Sequence, residues 1–586
     1  MRRAAALAAA LLAAALLALA PVAHADELRS PASMTTPPKG FRLTGAQAQA
    51  IAERDPKVVA TRRHHTGMYP NVFIKDAARW QVSFFSRDRD PRELVQVYVD
   101  DASGRVTESW TGPQIAWTMA RGYPGAFGRA VNSPWVWIPL TLLFLVPFVD
   151  PRRPLSIRHL DAAVLVAFGI SVAFFNDANI DVSVPLVPPL LAYVLARMLW
   201  IGLRRDRRVG PWRSPVPVGW LAVGLVFLVG FRIGLNVTNS NVVDVGYSGV
   251  IGADRLADGR DLWGTFPKDN EHGDTYGPVA YAAYVPFEQV WPWSGRWDDL
   301  PAAHAAAVAF DLICLALLFF LGRQIRGPSL GITLAYAWAA YPFTLYALDC
   351  NTNDALVAAL VLAAFLATRA PGARGALVAL AGMTKFAPLA LAPLLATQPR
   401  RGAMRFALGF GAALAACLGI VLLYGGLDTF ADRSIGYQLS RGSPFSVWGL
   451  YGWDAGRTAV NVAAVGLALA VAFVPRRRDL VGLCALGTAV LVAMQLGADH
   501  WFYTYLVWFA GPAFVALLAD QGTSSWEIEV DRSGAEDSSM STALSQGSSS
   551  LVSNRTDMWV RIDSIACSLR TPITPPRGPV IPTSVT

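Results

Sequence analysis

A long series of apolar runs, separated by short polar segments, constrains this chain more than any other feature. About twelve such runs follow one another after residue 130, and many approach the roughly 20 residues that a helix needs to cross a bilayer. A chain patterned in this way must satisfy its backbone hydrogen bonds within helices, so we predict an all-α polytopic membrane bundle. The runs lie at 134–149, 160–176, 183–203, 217–236, 302–322, 328–346, 354–368, 375–396, 405–424, 457–475, 480–498 and 501–519.

The composition excludes several other classes of protein. Hydrophobic residues make up 53% of the chain and charged residues only 16%, which is too few charges for a soluble protein. The net charge is +8, but the basic residues stand in short clusters between apolar runs, a pattern typical of membrane orientation rather than of nucleic-acid binding. No cysteine pair has zinc-site or CxxC spacing, so we expect neither a disulfide framework nor a metal of that kind.

The first 25 residues have the pattern of a signal peptide. Arg2 and Arg3 precede an apolar stretch, and Ala23 and Ala25 supply small residues at the usual cleavage positions. The alternative is a first span that is not cleaved. In either case we expect residues 26–130 to be exported.

The exported segment is predicted to form a small α+β domain. Leu43–Asp55 has a helix start signal at Thr44 and apolar residues at helical spacing. Three strands should follow, with a turn between the second and the third. The strands are predicted at 80–85, 94–100 and 106–110, and the turn at 101–104.

This order of elements resembles the PepSY domain. The resemblance implies a regulatory or binding module and includes no catalytic constellation. His64 and His65 are adjacent and could bind a metal, but no third ligand is near them in the sequence, which favours a solvated pair. The matching residues are Ala48, Ala50, Ile51, Ala52, Val97, Tyr98, Val99, Asp100, Gly104, Arg105 and Val106.

The basic clusters predict the orientation of the spans. If residues 26–130 are outside, the short loops obey the positive-inside rule when 237–300, 425–456 and Asp499-His500 are also outside. The run 375–396 is an exception, because a single crossing would place Arg400, Arg401 and Arg405 outside. It would also leave Lys385 at mid-membrane at a cost of at least ~2.5 kcal/mol. We therefore predict that 375–396 forms a re-entrant hairpin that brings Lys385 toward the outer face.

This topology collects many polar residues on the outer side. A carboxylate there could act as a general base, and Arg or Lys could neutralise a phosphate leaving group. For any single residue, a solvated loop position is the alternative. The set favours a site, because Lys385 stands inside an apolar run and Asp354 opens one. The set contains Asp244, Asp254, Asp274, Asp349, Asn351, Asn353, Asp354, Lys385, Arg433, Gln438, Arg441 and His500.

The loop motifs resemble those of membrane glycosyltransferases of the GT-C fold. An Asp after a span (Asp244) is followed by Gly259–Gly264 (GRDLWG) and Thr275–Pro278 (TYGP), and later by Gly382–Pro388 (GMTKFAP) and Arg441–Trp448 (RGSPFSVW). The chain most resembles glycosyltransferase family 87 and related polyprenol-phosphate-mannose-dependent mannosyltransferases, over about 217–519. It departs from the usual pattern in having Trp263 in place of Tyr and Tyr-Gly-Pro in place of Tyr-Pro-Pro.

The resemblance implies an inverting transfer of a sugar, mannose, from a polyprenyl-phosphate donor to a lipid or glycan acceptor on the extracytoplasmic face. Asp244 would be the general base, with Asp274 as the second choice, and Asp254 is better explained as a polar helix-face residue. Neither a metal nor a cofactor is expected. Residues expected to contact substrate are Tyr247, Tyr276, Asp354, Lys385, Arg433, Gln438, Arg441 and His500.

Two other functions remain open from the sequence. A transporter or flippase for a lipid-linked sugar would also contain broken helices and charges at membrane depth. A non-catalytic sensor would rely on the exported domain. The predicted domain organisation is the same in each case: 1–25 signal peptide, 26–130 exported PepSY-like domain, 131–216 accessory spans, 217–519 catalytic domain and 520–586 disordered cytoplasmic tail.

Overall fold

The structure is a computed structural model. It describes residues 28–76, 78–122, 127–149, 156–204, 214, 216–397, 402–474 and 479–519. The predicted signal peptide and the predicted tail 520–586 lie outside the described residues, and both stay predictions.

The N-terminal segment forms a small α+β domain, as predicted, and its export stays a prediction. The four strands make an antiparallel meander in chain order. Thr44 caps the first helix in a capping box with Gln47, and Trp80, Val82 and Phe84 are buried on the face that packs against it. The elements are α1 Gly45–Ala52, α2 Pro56–His64, β1 Tyr69–Ile74, β2 Arg79–Phe85, β3 Glu93–Asp100 and β4 Val106–Thr111, followed by a short helix, α3 Pro113–Ala116.

Two elements of this domain were not predicted. The helix α2 begins at Pro56 and ends in basic residues, so its few apolar residues show little helical periodicity. The strand β1 contains Pro70, which is compatible with its position at the sheet edge, where it pairs with β2. His64 ends α2 and His65 is its C-cap, so the two histidines mark the end of a helix. The resemblance to PepSY stays a prediction.

The rest of the described chain is helical. Five helices are long and apolar enough to cross a membrane, namely α5, α6, α7, α11 and α17. The helices are α4 Pro134–Leu145, α5 Ile157–Asn176, α6 Ile180–Leu203, α7 Val218–Thr238, α8 Asp244–Ala257, α9 Pro278–Ala282, α10 Val285–Glu288, α11 Pro301–Arg326, α12 Pro328–Ala340, α13 Pro342–Asp349, α14 Asp354–Leu366, α15 Pro371–Gly382, α16 Ala392–Thr397, α17 Ala403–Leu423, α18 Leu427–Phe430, α19 Tyr437–Ser440, α20 Val447–Tyr451, α21 Asp454–Ala470, α22 Leu480–Leu496 and α23 Leu506–Ala519.

Some predicted runs do not form one continuous helix. The run 328–346 is divided into α12 and α13, because Pro342 lacks the N–H that a continuous helix would need. The run 501–519 becomes α-helical only at Leu506. The total of about twelve segments stays a prediction.

An ion pair buried in the bundle holds three helices together. Arg232 of α7 donates to both carboxylate oxygens of Asp311 of α11, at 2.5 and 3.0 Å. The indole N–H of Trp338 in α12 donates to the same carboxylate at 2.8 Å. Because two opposite charges and several hydrogen bonds satisfy one another, these groups can remain in an apolar core.

The segment around Lys385 breaks where the hairpin was predicted. The helix α15 ends at Gly382, and a short 3₁₀ turn, Ala387–Leu391, precedes α16. The start of α15 lies against the start of α17, since a Cβ atom placed on Gly375 would be 2.1 Å from the carbonyl oxygen of Phe406. The intervening chain therefore leaves and returns to the same end of the bundle. This geometry is expected of a re-entrant hairpin, which stays a prediction.

Candidate active site

Asp244 is the first residue of α8 and borders open space. It precedes the buried face of this helix, on which Tyr247 and Ile251 are fully enclosed. The Asp244 residue is exposed, yet protein atoms surround the recess in which it lies. This burial raises the pKa of its carboxyl group, while the N–H of Val245 and the charges of Arg441 and Lys385 act in the opposite direction.

Lys385 is held close to Asp354. Its ammonium Nζ donates to Asp354 Oδ1 at 2.5 Å, and the indole N–H of Trp508 donates to the same oxygen at 2.8 Å. Three aromatic rings, those of Tyr276, Tyr505 and Trp508, lie 5.2–5.4 Å from the ammonium. A carboxylate and several π faces thus compensate a cation that is only 8% exposed.

Arg441 contacts aromatic rings rather than a carboxylate. Its guanidinium carbon lies 5.2 Å from the ring centroid of Trp117 and 5.6 Å from that of Tyr437. Among the residues that the structure describes, no acidic side chain forms an ion pair with it, and its Nε is buried without a hydrogen-bond partner. Its donors therefore remain available for an anionic ligand.

His500 lies beside Arg441. Its Nδ1 is 2.9 Å from the hydroxyl oxygen of Ser443, and its ring contacts those of Trp117 and Phe445. Burial lowers its pKa well below the usual value, and the positive charges of Arg441 and Lys385 lower it further. We call this whole group the Asp244 cluster; it contains Asp244, Tyr276, Asp354, Lys385, Arg441, His500, Tyr505 and Trp508.

A second group, the Asp274 cluster, contains Asp274, Arg433, Gln438 and Thr275. Asp274 is buried, and its Oδ2 accepts from the N–H of Gly264 at 2.6 Å and from Arg433 Nε at 2.8 Å. Gln438 Nε2 donates to Thr275 Oγ1 at 2.6 Å. These contacts tie the 431–440 segment to the loop that follows α8 and pair Asp274 Oδ2, whereas Asp274 Oδ1 is buried without a hydrogen-bond partner.

Tyr247 lies in neither cluster. Its hydroxyl donates to Asp269 at 3.2 Å, and its ring stacks on Trp297 with the centroids 4.9 Å apart. Asp254 pairs with Arg260 on a partly exposed face of α8, in agreement with its interpretation as a polar-face residue. The structure therefore brings together six of the ten predicted site residues: Asp244, Tyr276, Asp354, Lys385, Arg441 and His500.

Several aromatic residues of this region were not predicted, among them Tyr437 beside Arg441. Tyr505 and Trp508 belong to a dense aromatic segment directly after His500, and that density was a signal that could have found them. Trp117 carried no such signal, because it lies far from Arg441 in the sequence, just after the N-terminal sheet. Within the described ranges, no group of three or more His, Cys, Asp or Glu side chains could hold a metal ion.

Comparison with known proteins agrees with the family predicted from the loop motifs. Residues 275–498 match the model of glycosyltransferase family 87. The matched range contains Tyr276, Asp354, Lys385 and Arg441, whereas Asp244 precedes it and His500 follows it. No curated protein matches the chain. The chain resembles glycosyltransferase family 87, and this match, together with its apolar helices, places it among the membrane glycosyltransferases.

Proposed function

We propose that this protein transfers mannose from a polyprenyl-phosphate donor to a lipid or glycan acceptor on the extracytoplasmic face of the membrane. One observation carries the proposal. Asp244 borders open space, and the positive charges of Arg441 and Lys385 act on its carboxyl group. A base and an anion-binding group are therefore near each other without being paired. This is the arrangement that a transfer from a phosphate leaving group needs.

The reaction would follow a single displacement. The Asp244 carboxylate takes the proton of the acceptor hydroxyl as that oxygen forms a bond to the anomeric carbon. The bond between the anomeric carbon and the phosphate oxygen breaks, and polyprenyl phosphate leaves with the electron pair. Arg441 stabilises the charge that develops on the phosphate, and the anomeric configuration is inverted. The raised pKa of Asp244 makes its carboxylate a better base than an ordinary Asp.

The other members of the Asp244 cluster would shape the donor site. Asp354 holds Lys385 in place, so the lysine adds a fixed positive charge near the phosphate. The rings of Tyr276 and Tyr505 provide apolar surface. Burial lowers the pKa of His500 and so favours its neutral form, which can accept or donate one hydrogen bond to substrate. We assign a structural role in the outer loop to Tyr247 and to the Asp274 cluster.

The proposal can be tested with the full chain in native membranes. Membranes that contain the protein are incubated with labelled polyprenyl-phosphate mannose, and the products are separated and their anomeric configuration determined. We expect a new mannosylated product of inverted configuration, and its loss in Asp244→Asn. A protein that moves the labelled donor across the membrane without forming a glycosidic product, in the wild type and in this variant alike, would instead be a flippase.

A further inference from the structure

Residues 112–122, which we call the connector, contact both the N-terminal sheet and the accessory helices. Arg121 donates to Gln96 of β3 at 2.7 Å, and its guanidinium lies over the rings of Tyr98 and Trp110. Gln114 Nε2 donates to the carbonyl oxygen of Ala178, between α5 and α6, at 2.7 Å. The connector is thus held to the sheet on one side and to the accessory helices on the other.

Gly122 shows how closely the connector lies against the bundle. A Cβ atom at this position would be 2.3 Å from the carbonyl oxygen of Asn176 and 2.5 Å from the backbone nitrogen of Ala178. Its φ of +51° is also a conformation that other residues rarely adopt. A rigid connector of this kind can hold a side chain at a defined place in a neighbouring site.

The connector places the side chain of Trp117 next to Arg441. Its ring lies 5.2 Å from the guanidinium carbon of Arg441, 5.9 Å from the ring of His500 and 5.3 Å from the ring of Phe445. Since no described carboxylate pairs with Arg441, the rings of Trp117 and Tyr437 are the contacts that fix its guanidinium. An arginine without such contacts would sample many rotamers before binding an anion.

We propose that Trp117 is a positioning residue of the transferase site and that it orients Arg441 toward the donor phosphate. The proposal rests on the function proposed above for Arg441. It also gives the exported domain a direct role, because the connector of this domain supplies a wall of the Asp244 cluster. The transferase site is then incomplete without a residue that lies outside the 275–498 family match.

The test compares tryptophan variants of the full chain in nanodiscs. Trp117→Ala should weaken binding of tritiated polyprenyl phosphate about 3- to 30-fold, the range of a cation–π contact in partly desolvated surroundings. Trp117→Phe should restore most of the affinity. Trp135→Ala is the matched control, because Trp135 is 88% exposed on α4 and should leave the affinity unchanged. With labelled polyprenyl-phosphate mannose as the donor, Trp117→Ala should raise KM more than it lowers kcat.

A double variant separates positioning from general packing. In an Arg441→Ala background, Trp117→Ala should cause no further loss of affinity, because the group that it orients is gone. An equal loss in both backgrounds would overturn the proposal. So would a lower thermal stability with unchanged affinity, which would indicate an interface residue only.

A third measurement does not depend on the donor. The rate at which phenylglyoxal modifies Arg441, followed by mass spectrometry of its peptide, should rise in Trp117→Ala and stay the same in Trp135→Ala. If the wild-type protein binds no polyprenyl phosphate, the proposed donor is wrong, and this labelling rate alone decides whether Trp117 fixes Arg441. An unchanged rate would then reject the positioning role.

Discussion

The Asp244 cluster and the Asp274 cluster contain the same kinds of side chain in opposite arrangements. In the Asp274 cluster, acid and base bind each other: Arg433 and the N–H of Gly264 occupy Asp274 Oδ2. In the Asp244 cluster, Asp244 borders open space, and Arg441 lies against aromatic rings. A group that is already paired must lose its partner before it can act on a substrate, whereas an open one need not.

Residue type and loop position alone do not identify a catalytic base. Asp244 and Asp274 stand 30 residues apart in one polar interval of the sequence. Their exposure and their pairing distinguish them, and both properties depend on which distant segment packs against each carboxylate. For Asp274 that segment is the π-helical turn Ala431–Gly436, which supplies Arg433.

Replacing the aspartate by asparagine in each cluster should give the largest difference in kcat and in melting temperature between the two clusters. Asp244→Asn should lower kcat about 10²- to 10⁴-fold, because the amide cannot accept the acceptor proton. Asp274→Asn should lower kcat far less and should instead lower the melting temperature, because a buried ion pair is broken. Labelled-product formation per folded molecule and thermal unfolding in detergent measure the two effects.

Asp261→Asn serves as the control for that pair of variants. Asp261 is exposed in the same polar interval, so its replacement should change neither quantity. A loss of turnover in Asp274→Asn at unchanged melting temperature would reverse our assignment and make Asp274 the base.

The two arginines should differ in a similar way. Arg441→Ala should weaken binding of polyprenyl phosphate about 10- to 100-fold, since a hydrogen bond to a charged group is worth about 1.5–3 kcal/mol. Arg433→Ala should leave that affinity nearly unchanged and reduce stability. Equilibrium binding of the radiolabelled lipid measures the first effect. Equal losses of affinity in both variants would place the two clusters in one site.

The pH profile should report the environment of Asp244. Its raised pKa means that the carboxyl group takes up a proton at a higher pH than an ordinary Asp does, and activity needs the deprotonated form. Activity should therefore fall on acidification before the range of an ordinary Asp is reached. Removing the positive charge of Arg441 should move this acid limb to still higher pH. An acid limb that does not move in Arg441→Ala would show that the two groups are not coupled.

Local patterns in the sequence were enough to predict much of the fold. The capped helix at Thr44, the alternating strands and the long apolar runs each depend on neighbouring residues. The structure confirms the helix and the strands, and five helices of the described chain are long and apolar enough to cross a membrane. The break near Lys385 was also predictable, because a lysine in an apolar run is costly wherever it is not compensated. Pro342 divides a predicted span because the missing N–H outweighs the apolar composition.

The site was predicted less completely because its members come from distant parts of the chain. Asp354 and Lys385 were both predicted, but not that they pair, and the pairing makes Asp354 a partner of the lysine. Trp117 contacts Arg441 across 324 positions, and no local pattern can report such a contact. Arg433 and Gln438 lie in a different cluster from Arg441, and this likewise depends on the conformation of the short 431–440 segment.

Gln438 offers the smallest and most discriminating effect. Its amide donates to Thr275 Oγ1 at 2.6 Å, directly beside Asp274, and Thr275 immediately precedes Tyr276 of the other cluster. Gln438→Ala should cost about 1 kcal/mol of stability, the value of one neutral hydrogen bond, and change kcat and KM less than about threefold. Thermal unfolding measures the change in stability, and initial rates measure kcat and KM. Gln438→Glu is the control variant, because its carboxylate can still accept a hydrogen bond from the Thr275 hydroxyl. If Gln438→Ala raised KM for the donor more than tenfold while the melting temperature stayed constant, Gln438 would contact substrate. The 431–440 segment would then belong to the substrate site together with the Asp244 cluster.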